Sequence, residues 1–224
     1  VLPEVLEVIR DPPCEPAENM RRDLDLLMSL EEGRGSPSIR TYRWKRLCLS
    51  AGYSQKVSVK SGLDVVRRPT GGGILIHGWD LSFSITGRRD LWGRGVKEVY
   101  TRVSHSVAGA LRELGLAVKS SDYSGAYGDR GLCWWHPTFG ELTSGGRKVV
   151  SMAMRTLRRA FLIQGTVYDF IDYPLASRIL GVDEEELRRR VISLGELGLS
   201  AGDFEEALIQ VFRGREGERL SLQG

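Results

Sequence analysis

Three stretches of the chain combine residue types suited to chemistry. In RRPTGGGILIH, residues 67–77, two arginines and a proline-set turn lead into three consecutive glycines, then an apolar strand ending at His77. Glycines let an acyl chain or phosphate approach main-chain N–H groups, and Arg67 and Arg68 can hold an anion nearby. This is not a nucleotide P-loop, because Ile74 stands where the lysine would be, and the GxGxxG spacing of a dinucleotide site is absent. A plain tight turn fits the glycines equally well.

The second stretch, GLCWWHPTFGEL, sets Cys133 three positions before His136 with Trp134 and Trp135 between them. A thiolate is a strong nucleophile, and Arg130, Arg147, Lys148 or an imidazolium could depress its pKa. A buried structural cysteine is the plainer reading, which Cys14 and Cys48 fit better still. In the third stretch Lys148 follows Gly145-Gly146-Arg147 and opens an apolar strand, so its amine is either aimed along a sheet edge at a carbonyl or phosphate, or simply solvated. His77 reads as a hydrogen-bonded wall residue before a base, and His105 has no special claim.

These residues need a frame, and hydrophobic periodicity supplies one. Helical spacing spans Glu18 to Glu31, and again Gly95 to Leu114 with Gly115 as its stop. Strand patterns cover Ser38 to Trp44, Leu47 to Ala51 and Leu63 to Arg67. Ile74 to His77 and Leu81 to Ile85 read as two arms of an antiparallel pair across Gly78-Trp79-Asp80. Further strands run from Phe139 to Ser144, from Lys148 to Arg155 after a Gly-Gly hairpin turn, and from Arg158 to Tyr168 with a break at Gln164-Gly165. Helices follow at Tyr173 to Leu180, at Asp183 to Leu194 with Asp183 as cap, and at Asp203 to Phe212. This order predicts an α+β fold, mostly antiparallel sheet flanked by helices.

At 224 residues, 41% hydrophobic and 27% charged, the chain is an ordinary globular one. Its 26 Arg and 6 Lys against 29 acids give a net charge of +3, too small to indicate nucleic acid without a local patch. No apolar run reaches the roughly 20 residues of a membrane helix, and the first residues show neither a basic leader nor a secretory segment. Three cysteines make neither a disulfide framework nor close zinc-site pairs, so a cytoplasmic protein with free thiols and no metal is expected. The arginine run from Arg188 to Arg190 is a solvated face, or a contact for an acidic carrier.

Taken together, the motifs resemble the lipoate/biotin protein ligase superfamily, and within it the cysteine-dependent octanoyltransferase branch. The resemblance rests on NMRRDLDLL from Asn19, on Tyr42, Trp44, Leu49, Gly52 and Gln55 in order, and on the RRPTGGG loop with His77, Leu81, Phe83 and Ser84. CWWHPTFGEL, followed by GRKVVSMAMR and LIQGTV, completes it, and the likeness runs from about Glu18 to Phe212. It implies a biotin/lipoate ligase catalytic-domain fold with residues 1–17 as lead segment, 18–172 as catalytic core and 173–224 as a helical segment packed on the same domain.

The resemblance also implies roles. Cys133 would be the acyl-accepting nucleophile and Lys148 the lysine that contacts the acyl carbonyl. Arg67, Arg68, Thr70, Gly71, Gly72, Gly73, His77, Ser151, Ala153, Gln164 and Gly165 would bind the acyl substrate. An octanoyl group would pass from acyl carrier protein to Cys133, then to one lysine of a 2-oxoacid dehydrogenase lipoyl domain or the glycine-cleavage H protein. That route needs no ATP, metal, nucleic acid or membrane, suits a monomer or weak dimer, and gives surplus arginine a use against acidic partners.

This sequence departs from the family pattern in places. Ser151, Met152 and Met154 stand at the family's Gly, Ser and Gln positions, Gln164 at its His, and Gly73 where octanoyltransferases often have Arg, closer to the ligase form. Met152 and Met154 are thus expected to reshape the acyl tunnel, or to mark another acyl group or a lost activity. The alternatives are an ATP- and Mg2+-dependent lipoate–protein ligase catalytic domain, and a non-catalytic relative that binds a lipoyl protein or acyl carrier.

Overall fold

The structure, a computed structural model, describes residues 2–57, 61–122, 131–135 and 137–213. His136 and Arg130, considered above as partners of Cys133, lie outside them. The elements in chain order are β1 (Glu7–Arg10), α1 (Pro16–Glu31), β2 (Ser38–Tyr42), β3 (Cys48–Ala51), β4 (Val65–Arg67), β5 (Leu75–His77), β6 (Asp80–Arg88), α2 (Arg89–Trp92) and α3 (Val96–Glu113). They continue with β7 (Lys119–Ser120), β8 (Leu142–Ser144), β9 (Arg147–Thr156), β10 (Ala160–Tyr168), α4 (Tyr173–Leu180), α5 (Glu184–Arg190) and α6 (Ala201–Arg213).

Among the described residues, seven strands form one sheet in the order β1-β2-β6-β10-β9-β8-β7, and β4-β3-β5 form a second. Pairing is antiparallel except for β1 with β2 and β3 with β4. The fold is α+β, as expected. Strand period decides the layers. Leu81, Phe83 and Ile85 of β6 and Ile163 of β10 share one face with α3 and α6, where Val103, Val107 and Phe204 complete the main core. On the opposite face Ser82, Ser84 and Thr166 are also buried, because α1 crosses that side and inserts Met20, Asn19, Asp23 and Leu27.

Four local expectations are corrected. The segments ending in β5 and beginning β6 do not pair with each other: β6 already has β2 and β10 on its two edges, so β5 turns to β3. Gly78, at φ 123, makes that exit, and its N–H is taken by Asp80 Oδ1 at 2.9 Å. β10 runs unbroken through Gln164-Gly165, since Gly165 leaves room for the Phe83 ring, from which an added Cβ would stand 2.1 Å. The strand expected from Phe139 starts at Leu142, because Gly140 has φ 78 and Glu141 N–H closes a turn onto Thr138 O. The helix capped by Asp183 ends at Arg190, where Val191 becomes extended and bridges to Lys148.

Within the lead stretch, β1 adds to the large sheet, and Glu4 accepts hydrogen bonds from Arg88 N and Trp92 Nε1. At the chain's other end, α4 and α5 bury Ala176 and Leu187 in the cluster that also holds Cys133 and Trp134.

Candidate active site

A cavity opens between the polar sheet face, α1 and the strand β5. Its wall includes Met20 from α1, Tyr42 and Trp44 around β2, Leu75 and His77 from β5, and Arg68 and Cys133 from two loops. β6, β9 and β10 supply the floor through Ser82, Ser151, Ala153, Gln164 and Thr166, with Met152 and Gly165 bordering it. The floor is largely polar, yet Ser82, Thr166 and Gln164 direct polar atoms into two buried carboxylates. Thr166 Oγ1, Ser82 Oγ and Trp44 Nε1 donate to Asp80 Oδ2 at 2.5, 2.8 and 3.2 Å. Gln164 Nε2 and the Tyr42 hydroxyl donate to Asp23 Oδ2 at 2.6 and 2.9 Å. The carbon faces left toward the cavity suit an apolar chain.

Asp23 is in turn held by Arg40 at 2.7 Å and by Ser84 Oγ at 2.6 Å. Asp80 is fully buried; burial alone would raise its pKa, but His77 and hydrogen bonds from His77, Thr166 and the Gly78 N–H outweigh that and hold it below the usual carboxylate range. His77 Nδ1 donates to Asp80 Oδ2 at 2.8 Å, its Nε2 meets Ser50 Oγ at 2.6 Å, and its ring stacks on Trp44 with centroids 4.0 Å apart. It is the hydrogen-bonded wall residue that its sequence context suggested.

The glycine loop and the cysteine loop are locked together by backbone. Ile74 N donates to Gly131 O at 2.8 Å and Cys133 N to Ile74 O at 3.1 Å. Gly73 allows this approach, because a Cβ there would lie 2.4 Å from Gly131 O and 2.7 Å from Cys133 N. Gly72 packs the same way against Gly52, whose added Cβ would be 2.1 Å from Gly72 O. Arg68 staples the loop from inside, donating to Gly71 O and Gly73 O at 3.1 and 2.6 Å and to Ser50 Oγ at 2.6 Å.

Cys133 lies in the cavity wall, 3% exposed. Burial pushes its thiol up from 9.0; Lys148, Arg68 and a hydrogen bond from Ser151 pull the other way, and Glu141 adds to the rise. Lys148 does not reach the cavity. Its Nζ donates to the Cys133 carbonyl and lies 2.7 Å from Glu141 Oε2, so the amine is neither solvated nor aimed at open space. Glu141 completes the cluster, accepting from Thr138 N at 2.6 Å, Met152 N at 3.2 Å and Cys133 Sγ at 3.7 Å.

Of the residues expected around the substrate, Arg68, His77, Cys133, Ser151, Ala153, Gln164 and Gly165 meet at the cavity. Thr70 stands behind it, donating to Gln164 Oε1 at 2.6 Å. Arg67 is exposed and ties Gly52 O and Gln55 O, so it braces a turn. Met152 and Met154 alternate with Ser151 and Ala153: Met152 borders the cavity and belongs to the main core, and Met154 packs against that core. Sequence reading missed the wall residues Met20, Leu75, Ser82 and Thr166, and the role of Glu141. The Glu-Leu pair ending the cysteine motif was the available signal for the last.

The sequence matches the family model of the lipoyl protein ligase A/B catalytic domain over residues 15–213. The chain belongs to that family. Relatives by sequence include the octanoyltransferase LipM of Moorella thermoacetica, 31% identical over 80% of this chain and 70% of that protein. The octanoyltransferase LipM of Carboxydothermus hydrogenoformans is 33% identical over 78% of this chain and 69% of its own. Among solved structures, the bipartite lipoate protein ligase of Thermoplasma acidophilum, determined with its E2 lipoyl domain, superposes with a TM-score of 0.69 at 21% identity, covering 92% of this chain and 82% of that one. That likeness shows the lipoyl ligase catalytic fold and nothing narrower. Among the described residues no group of three His, Cys, Asp or Glu is placed to hold a metal ion, and no helix is long and apolar enough to cross a membrane.

Proposed function

We propose that this chain is an octanoyltransferase of lipoate biosynthesis, with Cys133 as its acyl-carrying nucleophile. The observation that carries the reading is the thiol of Cys133 in the wall of a cavity lined mostly by carbon, in a chain similar to curated octanoyltransferases. The site's acyl-binding residues are Arg68, His77, Ser151, Ala153, Gln164 and Gly165, supported from behind by Thr70, Gly71, Gly72, Gly73 and Arg67. Residues 18–172 are the catalytic core, and α4 and α5 brace the cysteine loop.

In the first stage the Cys133 thiolate attacks the carbonyl carbon of an octanoyl thioester on acyl carrier protein. A new C–S bond forms, the carrier's C–S bond breaks, and the departing thiolate takes up the proton that the Cys133 thiol released. In the second stage the uncharged amine of one lysine on a lipoyl domain, or on the glycine-cleavage H protein, attacks the same carbonyl. The C–N bond forms, the Cys133 C–S bond breaks, and the amine's proton goes to the Cys133 sulfur. The thioester already holds the free energy of the amide, so the route uses neither ATP nor Mg2+. Lys148, held against the Cys133 carbonyl and Glu141, supports the developing charge from beneath the cysteine loop.

Intact-protein mass spectrometry tests this. The protein is incubated with octanoyl-acyl carrier protein without ATP, and apo H protein is added afterwards. An adduct of about 126 Da on Cys133 that then moves to the acceptor lysine is the expected result. Acceptor modification that appears only with free lipoate, ATP and Mg2+ would make the chain a ligase instead.

A further inference from the structure

Glu141 has no part in the acyl transfer written above, yet it is fully buried at the centre of the nucleophile's surroundings. Its two oxygens divide the work. Oε2 meets Lys148 Nζ at 2.7 Å and accepts from Thr138 N and Thr138 Oγ1 at 2.6 and 3.0 Å. Oε1 accepts from Met152 N at 3.2 Å and faces Cys133 Sγ at 3.7 Å. One carboxylate thus ties the loop after Cys133 to β9, fixes the ammonium that grips the Cys133 carbonyl, and touches the thiol itself.

We propose that Glu141 is a positioning residue for acyl transfer, which holds Lys148 beneath the Cys133 carbonyl and, with its carboxylate against Cys133 Sγ, disfavours the thiolate. The inference rests on the transferase reading for its turnover arm only. The physical basis is twofold. A buried carboxylate beside a thiol disfavours the thiolate. A buried ammonium needs a partner, and with Glu141 supplying it the Lys148 side chain has one fixed orientation. Among the described residues, the charged or titratable groups facing Cys133 are Lys148, Glu141, Arg68 and Tyr168; burial and Glu141 push its thiol up, and Lys148 and Arg68 pull it down.

The test is Glu141→Gln, which keeps the side chain's size and loses its charge. Two readouts are taken: the pH profile of Cys133 alkylation by iodoacetamide, in Cys14→Ser/Cys48→Ala background, and the steady-state rate of octanoyl transfer. We expect the alkylation midpoint to move to lower pH while kcat falls roughly 10- to 100-fold with KM nearly unchanged. A purely structural role would leave the midpoint in place. Combined with Lys148→Met, the substitution should cost little beyond Lys148→Met alone, since both act through one contact. If Glu141→Gln does not fold, Glu141→Asp replaces it: the charge stays, the reach shortens, and turnover falls with the midpoint unmoved. An unmoved alkylation midpoint in folded Glu141→Gln, or unchanged turnover in either variant, overturns the proposal. Alkylation needs no acyl donor, so a shifted midpoint in a protein that transfers no octanoyl group would fault the transferase reading and leave the electrostatic role of Glu141 intact.

Discussion

Lys148 Nζ and Glu141 Oε2 stand 2.7 Å apart with both side chains almost wholly buried, and the same ammonium donates to the carbonyl of Cys133. A charged pair so far from water is retained only when each member has further partners, and here those partners are the nucleophile's own loop and β9. The nucleophile is therefore held by electrostatics as well as by packing.

Replacing Cys133 by Ala should abolish the octanoyl adduct and acceptor modification while leaving the fold in place, since the side chain is small and sits at a cavity wall. Mass spectrometry and circular dichroism check the two halves. Full turnover by Cys133→Ala would remove the thiol from the mechanism.

At Gly73, an alanine methyl would stand 2.4 Å from Gly131 O. The atoms it meets, Gly131 O and Cys133 N, belong to backbone, so the cysteine loop must shift. Gly73→Ala should cost about 1–3 kcal/mol in urea unfolding and slow transfer together with it. Wild-type stability in this variant would mean that the two loops separate freely.

Asp23 binds the buried guanidinium of Arg40, the Tyr42 hydroxyl, Ser84 and Gln164. Removing it takes one of two carboxylates from the Arg40 guanidinium, Asp11 at 2.6 Å being the other, and leaves Tyr42, Ser84 and Gln164 without their acceptor, so Asp23→Ala should lose about 3–5 kcal/mol. Asp25→Ala, which breaks an exposed pair with Arg21 on the same helix, should lose no more than about 1 kcal/mol. Equal losses at the two positions would contradict the network described.

Stability should fall at both ends of the pH scale for identifiable reasons. Asp80 has its pKa lowered in the fold, so its contribution is present above 3.8 and disappears as pH drops through the lower folded value. Cys48 is pushed up to about 12 from 9.0, chiefly by burial, so its contribution is complete below 9.0 and is lost as pH rises toward 12. Tyr42 and Tyr168, both raised by burial, act in the same alkaline direction. Urea midpoints that stay level through the alkaline window would rule this out.

The sequence by itself determined the local elements and the chemical repertoire. Apolar recurrence every three or four residues marked α3, with Val99, Val103 and Val107 buried as that spacing requires, and Gly145-Gly146 marked the hairpin whose two positive φ values only glycine accepts readily. Cys133, the glycine loop and His77 stood out by type and spacing. Tertiary structure alone decided what those residues face. Ser82, Ser84 and Thr166 alternate with apolar neighbours as a half-solvated strand would, and only the crossing of α1 buries them and turns their hydroxyls toward Asp23 and Asp80. Lys148 follows a hairpin turn like many solvated lysines, and only the approach of a loop seven residues upstream, carrying Glu141, makes it an internal cation. Short-range pattern reports on backbone conformation because that is a local matter. Burial and pairing arise from contacts between segments far apart in the chain, and no local pattern encodes which segment arrives.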